Sequence, residues 1–450
     1  MGESFDLVVI GTGTGGSAPA SRCRNAGWRV AVVDDQPYGG TCALRGCDPK
    51  KVLVGAADLV DGHRRMVGRG VAGDVRIEWP ALMRFKRTFT DPVPSRVEAA
   101  FRKDGIAIYH GAARFIGEDR LLVAGRELQA RHFLIASGAE PKRLGIPGEE
   151  HLRTSTDFLE LDQLPKRVAL VGAGYIAFEF SHIARRAGAG VVMFGQETAL
   201  ARFDQDLVKR LVAHTRTLGV DMRLNAPATA IEACAGKYRV HFRGPGSEEA
   251  VEVDLVVHAA GRVPKTRELD LGSAKVKTDA RGAVEVNEYL QSTSNPRFYA
   301  AGDAALPPGS LPLTPVAAHE GLVVASNLLR GNEKRPDYRG IPSVVFTIPP
   351  LAGVGLVEAE ARKLQLDVRV KMEDTSGWFS NRRVNESAAM FKTVVENGSD
   401  RILGAHLLGP HADEVINLFA LAIRHGLKAT DLQHQIYSYP TSGSDLPYMV

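Results

Sequence analysis

Short apolar runs joined by glycine-rich turns dominate the pattern at the start of the chain. Residues 5–10 are apolar at nearly every position, and the turn at residues 11–16 leads from them into a helix-like stretch that ends near Ala26. A second buried run, residues 28–33, follows and ends in Asp34. Strand, helix and strand in this order predict a βαβ unit with parallel strands.

The same pattern returns near the middle of the chain. An apolar run at residues 168–171 leads into a second glycine turn, a helix is predicted through about Arg186, and a strand follows at residues 191–194. Glycines in such turns let the backbone approach a pyrophosphate, whose charge meets the amide groups of a helix N-terminus. One such motif is weak evidence, but two copies, each between a strand and a helix, predict two dinucleotide sites. The glycines are Gly11, Gly13 and Gly16 in the first motif and Gly172 and Gly174 in the second, where Ala177 takes the third place.

Several strand ends carry groups that suit a bound nucleotide. Asp34 follows Gly11 at about the spacing at which an acid binds a ribose hydroxyl. We expect a second carboxylate, that of Asp303, to accept a hydrogen bond from a polyol cofactor. Glycine-containing strand ends occur at Ser137-Gly138, Gly261-Arg262 and Gly302-Asp303.

Length and composition bound the class of protein. A chain of 450 residues predicts two or three domains, and after about Tyr338 alternating strands and an amphipathic helix near residues 412–426 predict a separate terminal domain. Hydrophobic residues at 44% and charged residues at 24% are typical of a globular protein, and no apolar run is as long as a membrane span. A net charge of +4 without a long basic block argues against nucleic acid binding. Because the first strand leaves no room for a targeting segment, we expect a cytoplasmic protein.

Two of the four cysteines lie close together, directly after the first nucleotide motif. Cys42 and Cys47 have four residues between them, and a helix predicted over residues 40–53 would place them about one turn apart, within reach of a disulfide. Cys23 and Cys234 supply no second close pair for zinc, so no metal site is predicted. The leading hypothesis is a dithiol that takes two electrons from a flavin, and the less favoured alternative is a pair of ordinary buried thiols.

Further motifs complete the pattern, and with them the chain resembles a known family over nearly its whole length. These motifs are Asp34, Tyr175 and Glu179 with the two glycine turns, the run Cys47-Asp48-Pro49-Lys50-Lys51, Gly261-Arg262-Val263-Pro264, Ala301-Gly302-Asp303, Leu313-Thr314-Pro315 and residues 346–350. The chain resembles the class I pyridine nucleotide-disulfide oxidoreductases, the family of glutathione reductase, dihydrolipoamide dehydrogenase and mercuric reductase.

The resemblance implies an α/β fold with two three-layer, Rossmann-like dinucleotide-binding domains and a C-terminal α+β dimerisation domain. It places the FAD domain in residues 1–149 and 272–337, the NAD(P) domain in residues 150–271 and the interface domain in residues 338–450. It also implies a homodimer whose active site is shared between the subunits.

The resemblance assigns roles to individual residues. Cys47 would be the thiol beside the flavin that forms a charge-transfer complex, and Cys42 the interchange thiol that faces the substrate. Lys50 and Glu179 match an ion pair next to the flavin ring, where a cation stabilises the negative charge of reduced flavin. Tyr175 matches a gate that shields the flavin until nicotinamide arrives. The other residues implied in cofactor binding are Gly40, Thr41, Ser137, Gly138, Gly261, Arg262, Gly302, Asp303 and Thr314.

The chain departs from the family near its C-terminus. The family carries His-Pro-Thr-x-Ser-Glu, in which the histidine acts as acid and base and the glutamate orients it, whereas this chain has Tyr439-Pro440-Thr441-Ser442-Gly443-Ser444. A phenol in water has a pKa of about 10, so at neutral pH it cannot act as a base in the way that imidazole does. Ordinary disulfide reduction is therefore in doubt, and it stays open whether Tyr439, His434 or no residue replaces the base.

The predicted function is an FAD-dependent oxidoreductase in which NAD(P)H reduces the flavin and the flavin reduces the Cys42–Cys47 disulfide. The dithiol then passes two electrons to a small-molecule acceptor that needs no histidine base. NADPH is favoured over NADH by family analogy, because Ala177 replaces a glycine.

Two alternatives stay open. In the first, the flavin passes electrons directly to a quinone, oxygen or a metal ion, with the cysteines as a reservoir. In the second, an FAD-loaded dimer has lost turnover and binds a partner. The charges of Arg45 and Asp48 act on a thiol pKa in opposite directions, Arg45 lowering it and Asp48 raising it, so their net effect is open as well.

Overall fold

The computed structural model describes residues 3–244 and 246–450, and no helix in this part of the chain is long and apolar enough to cross a lipid bilayer. The helices are α1 Thr14–Asn25, α2 Gly40–Arg45, α3 Cys47–Met66, α4 Trp79–Thr90, α5 Val93–Lys103, α6 Ser155–Phe158, α7 Tyr175–Arg186, α8 Gln205–Thr217, α9 Thr314–Arg330, α10 Glu358–Lys363, α11 Phe379–Arg382, α12 Ala412–His425 and α13 Ala429–His434.

The strands run through the whole chain. They are β1 Glu3–Ile10, β2 Val30–Asp34, β3 Ala107–His110, β4 Ala113–Gly117, β5 Arg120–Val123, β6 Arg126–Ile135, β7 Ala139–Pro141, β8 Arg167–Val171, β9 Gly190–Phe194, β10 Val220–Arg223, β11 Ala228–Cys234, β12 Lys237–Arg243, β13 Glu248–Val253, β14 Leu255–His258, β15 Arg262–Pro264, β16 Phe298–Ala300, β17 Ser343–Val345, β18 Leu351–Gly355, β19 Val368–Asp374, β20 Met390–Glu396 and β21 Ile402–Leu408.

Two compact units divide the chain. The first comprises Met1–Pro49, Lys86–Lys142 and Arg262–Tyr338, and the second comprises Lys50–Phe85, Arg143–Gly261 and Arg339–Val450. The segments predicted for FAD lie mainly in the first unit, and those predicted for NAD(P) and for the interface lie mainly in the second. Residues 50–85 belong to the second unit, and the four-segment division itself stays a prediction.

The first unit is built on one sheet in the order β3-β2-β1-β6-β5-β4, with β16 also paired to β6. Strand β1 pairs in parallel with β2 and β6, so the carboxyl ends of these strands meet at one edge. Side chains alternate between the faces of β1. Leu7 and Val9 pack in the cluster that contains Ala20 of α1 and Val324 of α9, and Val8 packs in the cluster on the other face.

The second unit contains a parallel sheet in the order β10-β9-β8-β14, an antiparallel sheet β11-β12-β13 and an antiparallel sheet β17-β18-β21-β20-β19. Apolar residues of α7 and α8, such as Phe178 and Leu211, share one core with Leu170 of β8 and Leu53 of α3. The amphipathic helix predicted near residues 412–426 is α12, whose buried residue Phe419 packs in a separate cluster over the last sheet. The predicted α/β fold class is confirmed.

The helix predicted over residues 40–53 is wrong in one respect, because it is interrupted. Helix α2 ends at Arg45 and α3 begins at Cys47. Gly46 lies between them, and a Cβ at this position would come within 2.9 Å of the Thr41 carbonyl oxygen. Cys42 and Cys47 therefore lie on two successive helices rather than on one.

Candidate functional site

The first glycine turn leaves the end of β1 and opens α1. A Cβ on Gly11, whose φ is +104°, would clash with the Ala136 carbonyl oxygen, and a Cβ on Gly16 would clash with that of Gly11. Gly13 is the N-cap of α1 with an extended backbone, and the nearest contact of a Cβ there would be the Gly40 Cα at 3.7 Å. The fold excludes side chains at two of the glycines and leaves space open at Gly13, as an approaching pyrophosphate requires.

Asp34 lies at the end of β2 with its carboxylate held in place. Oδ2 accepts hydrogen bonds from the Thr12 backbone nitrogen at 2.8 Å and from the Thr12 hydroxyl at 2.7 Å, and Oδ1 accepts one from the Gln36 nitrogen at 3.0 Å. A carboxylate has about four lone-pair sites, so Asp34 retains capacity for a ribose hydroxyl.

Ser137 provides a direct test of whether a ligand fits this unit. Its hydroxyl oxygen is buried and has no hydrogen-bond partner within the described part of the chain. A buried hydroxyl without a partner is costly, so such groups are normally paired with protein, water or ligand. Together with the open space at Gly13, this orphaned group fits a bound dinucleotide.

The turn that carries Asp303 is fixed by a buried glutamate that the sequence did not reveal. The Gly302 nitrogen donates to Glu320 Oε2 at 2.6 Å, and Oε1 accepts from the hydroxyls of Ser310 at 2.7 Å and Tyr338 at 2.6 Å. Burial raises the pKa of Asp303, and the Arg262 guanidinium opposes that rise. The available sequence signal for Glu320 was an acid within the otherwise apolar helix α9.

The two thiols lie on either side of the break between α2 and α3. Cys42 is half-buried and Cys47 is exposed. The Cys47 Sγ lies 3.5 Å from the Thr314 hydroxyl, and the Cys42 Sγ lies 3.9 Å from Asp48 Oδ1. A hydrogen bond with the Cys47 thiol and burial raise the pKa of Cys42, and the Asp48 carboxylate adds to the rise.

The charge of Arg45 acts on two carboxylates rather than on the thiols. Burial lowers the pKa of its guanidinium, and the carboxylates of Asp34 and Asp35 act against this shift. Asp48 acts on Cys42, whereas Arg45 acts on Asp34 and Asp35. Of these two charges, which the sequence left open, Asp48 therefore has the larger effect on the pKa of the Cys42 thiol. Within residues 3–244 and 246–450, no group of three or more His, Cys, Asp and Glu side chains is placed to hold a metal ion.

The second unit contains the ion pair that the resemblance implied. The Lys50 Nζ lies 2.8 Å from Glu179 Oε1, with 12% of the lysine side chain and 3% of the glutamate side chain exposed. Glu179 Oε1 also accepts from the Phe346 backbone nitrogen at 2.9 Å. The Lys50 Nζ lies 4.2 Å from the centre of the Phe346 ring. The pair is therefore desolvated and held in place, whereas its role beside a flavin stays a prediction.

The second glycine turn repeats the geometry of the first. Gly172 has a φ of +130°, and a Cβ there would clash with the Ala259 carbonyl oxygen. Gly174 caps α7, and the nearest contact of a Cβ there would be that same oxygen at 3.8 Å. Tyr175 opens α7 with about half of its surface exposed. Space at this helix N-terminus is therefore open to a second pyrophosphate.

The predicted site residues divide between the two units. The first unit contains Gly11, Gly13, Gly16, Asp34, Gly40, Thr41, Cys42, Cys47, Ser137, Gly138, Arg262, Gly302, Asp303 and Thr314, and the second contains Lys50, Gly172, Gly174, Tyr175, Glu179, Gly261 and Tyr439.

The C-terminal motif has its own local geometry. Tyr439 is 80% exposed. The Ser444 hydroxyl donates to the Thr441 carbonyl oxygen at 2.6 Å, and its backbone nitrogen donates to the Thr441 hydroxyl at 3.2 Å. Thr441 is thus the N-cap of the 3-10 helix Ser442–Tyr448, and Ser444 completes its capping box. His434, at the end of α13, is exposed.

Comparison with known proteins gives one consistent result. The family described as pyridine nucleotide-disulphide oxidoreductase matches residues 5–321, and the dimerisation domain of that family matches residues 341–449. Glutathione reductase from Burkholderia cepacia is 34% identical over 443 residues, which are 97% of this chain and 96% of that protein. Mercuric reductase from Staphylococcus aureus is 31% identical over 453 residues, which are 98% of this chain and 81% of that protein.

A solved structure shows the same fold. The Cu(II) complex of the HOCl-induced flavoprotein disulfide reductase RclA from Escherichia coli superposes with a TM-score of 0.88 at 28% sequence identity. The match covers 100% of this chain and 99% of that one.

Proposed function

Since the chain belongs to the class I pyridine nucleotide-disulfide oxidoreductases, which use FAD and a pyridine nucleotide, we propose that NADPH is its reductant and that its Cys42–Cys47 pair passes the electrons to an acceptor. The observation that carries this proposal is the placement of the two thiols on either side of the α2–α3 break, with the Cys47 Sγ 3.5 Å from the Thr314 hydroxyl, in the unit that also holds the first glycine turn. Membership of an enzyme family favours turnover over the alternative of an FAD-loaded binding protein.

The residues of the first unit fit the tasks of holding FAD. Gly13 and the N-terminus of α1 would face the pyrophosphate, and Asp34 a ribose. Ser137 and Asp303 present buried polar groups to the same cofactor. When bound, FAD accepts two electrons from the nicotinamide and delivers them to the disulfide. In the second unit, Lys50 supplies a fixed positive charge for the negative charge that reduction creates.

The raised pKa of the Cys42 thiol restricts the class of acceptor that the enzyme can reduce. Both Cys47 and Asp48 raise the pKa of the Cys42 thiol, so this thiol is mainly protonated and weakly nucleophilic at neutral pH. A positioned base that takes such a proton is worth roughly 10²–10⁴-fold in rate. The family's histidine is replaced by Tyr439. We therefore propose an acceptor whose leaving group is stable as an anion, or one that takes electrons without a leaving thiol.

A second candidate function is reduction of a metal ion that serves as the substrate. The observation that favours it is the match to an E. coli flavoprotein disulfide reductase described as a Cu(II) complex. Asp48 is exposed beside Cys42 and would attract a cation. In balanced form, the dithiol and two Cu(II) ions would give the disulfide, two Cu(I) ions and two protons.

The nicotinamide preference rests on Ala177 and on the relatives. Ala177 is fully buried in α7, where its methyl group fills space that a third glycine would leave. One relative is named glutathione reductase, a class of enzyme for which NADPH is the expected reductant. Rapid mixing of the anaerobic enzyme with NADPH or NADH at matched concentrations tests this. Faster flavin reduction by NADPH is expected, and equal or faster reduction by NADH would overturn the preference.

Steady-state NADPH oxidation with a panel of acceptors tests whether the Cys42–Cys47 pair passes the electrons to the acceptor. We expect turnover of 5,5′-dithiobis(2-nitrobenzoate), whose leaving thiolate is stable, and slow turnover of glutathione disulfide. Cys42→Ser and Cys47→Ser should abolish disulfide turnover at unchanged FAD content. If both variants keep Cu(II) or quinone reduction while losing disulfide turnover, electrons leave directly from the flavin, as in the alternative. Rapid glutathione disulfide turnover by the wild type would contradict the restriction on the acceptor.

A further inference from the structure

Residues 346–350, which connect β17 to β18, are held against α7 by two matched hydrogen bonds. The Phe346 nitrogen donates to Glu179 Oε1 at 2.9 Å, and the Ile348 nitrogen donates to His182 Nδ1 at 3.0 Å. Glu179 and His182 lie three positions apart on one face of α7, and Phe346 and Ile348 lie two positions apart in the connecting segment. The two bonds together fix the register of this segment on the helix.

The carbonyl group of Ile348 is held as firmly as its nitrogen. Its oxygen accepts from Arg186 Nη2 at 3.0 Å and from His214 Nε2 at 3.1 Å. His182 is fully buried, and Arg186 is 2% exposed. Buried backbone groups need hydrogen-bond partners, which in a sheet come from the neighbouring strand. At Ile348 these partners are side chains of α7 and α8, which hold the residue against both helices.

The hydrogen bonds of His182 define its protonation state. Because the Ile348 N–H donates to Nδ1, that nitrogen carries no proton. The proton lies on Nε2, which is 3.0 Å from the Thr215 hydroxyl, and this hydroxyl donates in turn to the Leu211 carbonyl oxygen at 2.8 Å. Burial and the nearby Arg186 and His214 hold the pKa of His182 well below its usual value. The ring is therefore a neutral acceptor for the Ile348 amide.

We propose that His182 is a positioning residue that tunes the Lys50–Glu179 pair by keeping the Phe346 amide on Glu179. Glu179 Oε1 is shared between the Lys50 ammonium and the Phe346 N–H. An amide donor withdraws part of the carboxylate charge, which leaves more of the field of Lys50 available to a reduced flavin. This inference rests on the proposed function, which takes Lys50 to act beside the flavin.

The consequence is a shift in the flavin potential. If the segment at Phe346 loosens, its amide leaves Glu179 and the full carboxylate charge opposes Lys50. Reduced flavin is then less stabilised, so the equilibrium moves toward oxidised flavin by roughly three- to tenfold.

The test measures flavin reduction against a reference dye in FAD-loaded protein, in a Cys42→Ser, Cys47→Ser background. Xanthine is the reductant, and xanthine oxidase and a mediator pass its electrons to the flavin, so neither NADPH nor the dithiol enters the measurement. His182→Phe removes the acceptor, and His182→Asn keeps one near the position of Nδ1. His182→Gln moves the acceptor out of reach of the Ile348 amide and carries the test if the Phe variant fails to hold FAD. His406→Phe is the matched control, because His406 is also buried but contacts the Leu356 carbonyl oxygen, at 3.1 Å.

We expect His182→Phe or His182→Gln to shift the flavin equilibrium as stated, His182→Asn to restore it, and His406→Phe to leave it unchanged. Hydrogen exchange of the peptide containing residues 343–351 should quicken in the Phe and Gln variants and not in the Asn variant. Faster exchange with no shift in potential, or an equal shift in His406→Phe, would overturn the inference. Failure of the wild-type enzyme to accept electrons from NADPH would instead count against the proposed function.

Discussion

Asp48 is the single residue whose charge acts most directly on the dithiol. Its Oδ1 lies 3.9 Å from the Cys42 Sγ, and its charge contributes to the raised pKa of that thiol. Arg45, which could have offset this charge, interacts instead with Asp34 and Asp35. The interchange thiol is therefore held in its protonated form more firmly than an isolated thiol would be.

Replacing Asp48 by Val should make Cys42 more reactive. A nearby like charge raises a thiol pKa, so removing it lowers the pKa and increases the thiolate fraction at neutral pH. A change of about half to one pKa unit gives roughly a three- to tenfold faster alkylation. The measurement is the rate of iodoacetamide labelling of Cys42 in reduced protein, followed by peptide mass mapping at pH 7. Asp48→Asn, which keeps the shape and removes the charge, should behave alike, and unchanged or slower labelling in both variants would contradict this account.

Single residues also show the limit of sequence reasoning. The glycines, the cysteines and the residues Lys50 and Glu179 were predictable, because each belongs to a motif with a fixed spacing. His182, Glu320 and the Phe346 amide were not, because their roles arise from segments that meet only in the folded chain. A backbone N–H carries no sequence signal at all.

At the scale of elements, the two glycine turns share one design. In each, a carbonyl oxygen excludes any side chain at the first glycine, Gly11 or Gly172, and space lies open before the helix at Gly13 or Gly174. Both helix N-termini lack a side-chain cap, an arrangement that favours an anion at each turn.

Methyl groups at the open positions should separate the two cofactors. Gly13→Ala should fold, since its Cβ would lie 3.7 Å from the Gly40 Cα, yet hold FAD at least about tenfold more weakly, because the methyl group obstructs the pyrophosphate. Gly174→Ala should keep FAD and weaken NADPH binding by a similar factor. Flavin retention on dilution and the NADPH dependence of flavin reduction measure these effects. Loss of FAD from Gly174→Ala with retention in Gly13→Ala would reverse the assignment of the turns.

The strands and helices of the two glycine motifs followed from the sequence, and the break between α2 and α3 did not. Apolar runs located β1, β8 and β9 to within a few residues, because buried parallel strands are continuously hydrophobic. The interruption at Gly46 was missed, although glycine itself disfavours the interior of a helix.

At the scale of the whole molecule, the match of residues 341–449 to the family's dimerisation domain supports a homodimer. Large apolar side chains are exposed in the C-terminal part of the second unit, and they suit an interface with a second copy. They are Leu418, Leu421, Ile436, Tyr439 and Tyr448. In this family the C-terminal motif of one subunit serves the dithiol of the other, so we place Tyr439 opposite the Cys42 of its partner as a proposal.

The double change Tyr439→His with Ser444→Glu should raise turnover of glutathione disulfide or lipoamide by part of the roughly 10²–10⁴-fold that a positioned base supplies. The fold should accept the glutamate, because residue 444 is at position N3 of the capping box that begins at Thr441, where glutamate is favoured. Steady-state NADPH oxidation measures the gain, and Tyr439→His alone is the control for an imidazole without its orienting acid. Fast wild-type turnover that Tyr439→Phe leaves intact would show that another group already acts as the base.

The central claim is that two electrons pass from the nicotinamide through the flavin to the Cys42–Cys47 disulfide, and anaerobic titration with NADPH tests it most directly. After about one equivalent, the wild-type protein should develop long-wavelength thiolate-to-flavin absorbance while most of the oxidised flavin spectrum remains, because the electrons reside on the dithiol. Cys47→Ser should lack this absorbance and bleach instead. A wild-type flavin that bleaches fully at one equivalent, with no long-wavelength absorbance and no difference from Cys47→Ser, would contradict the account.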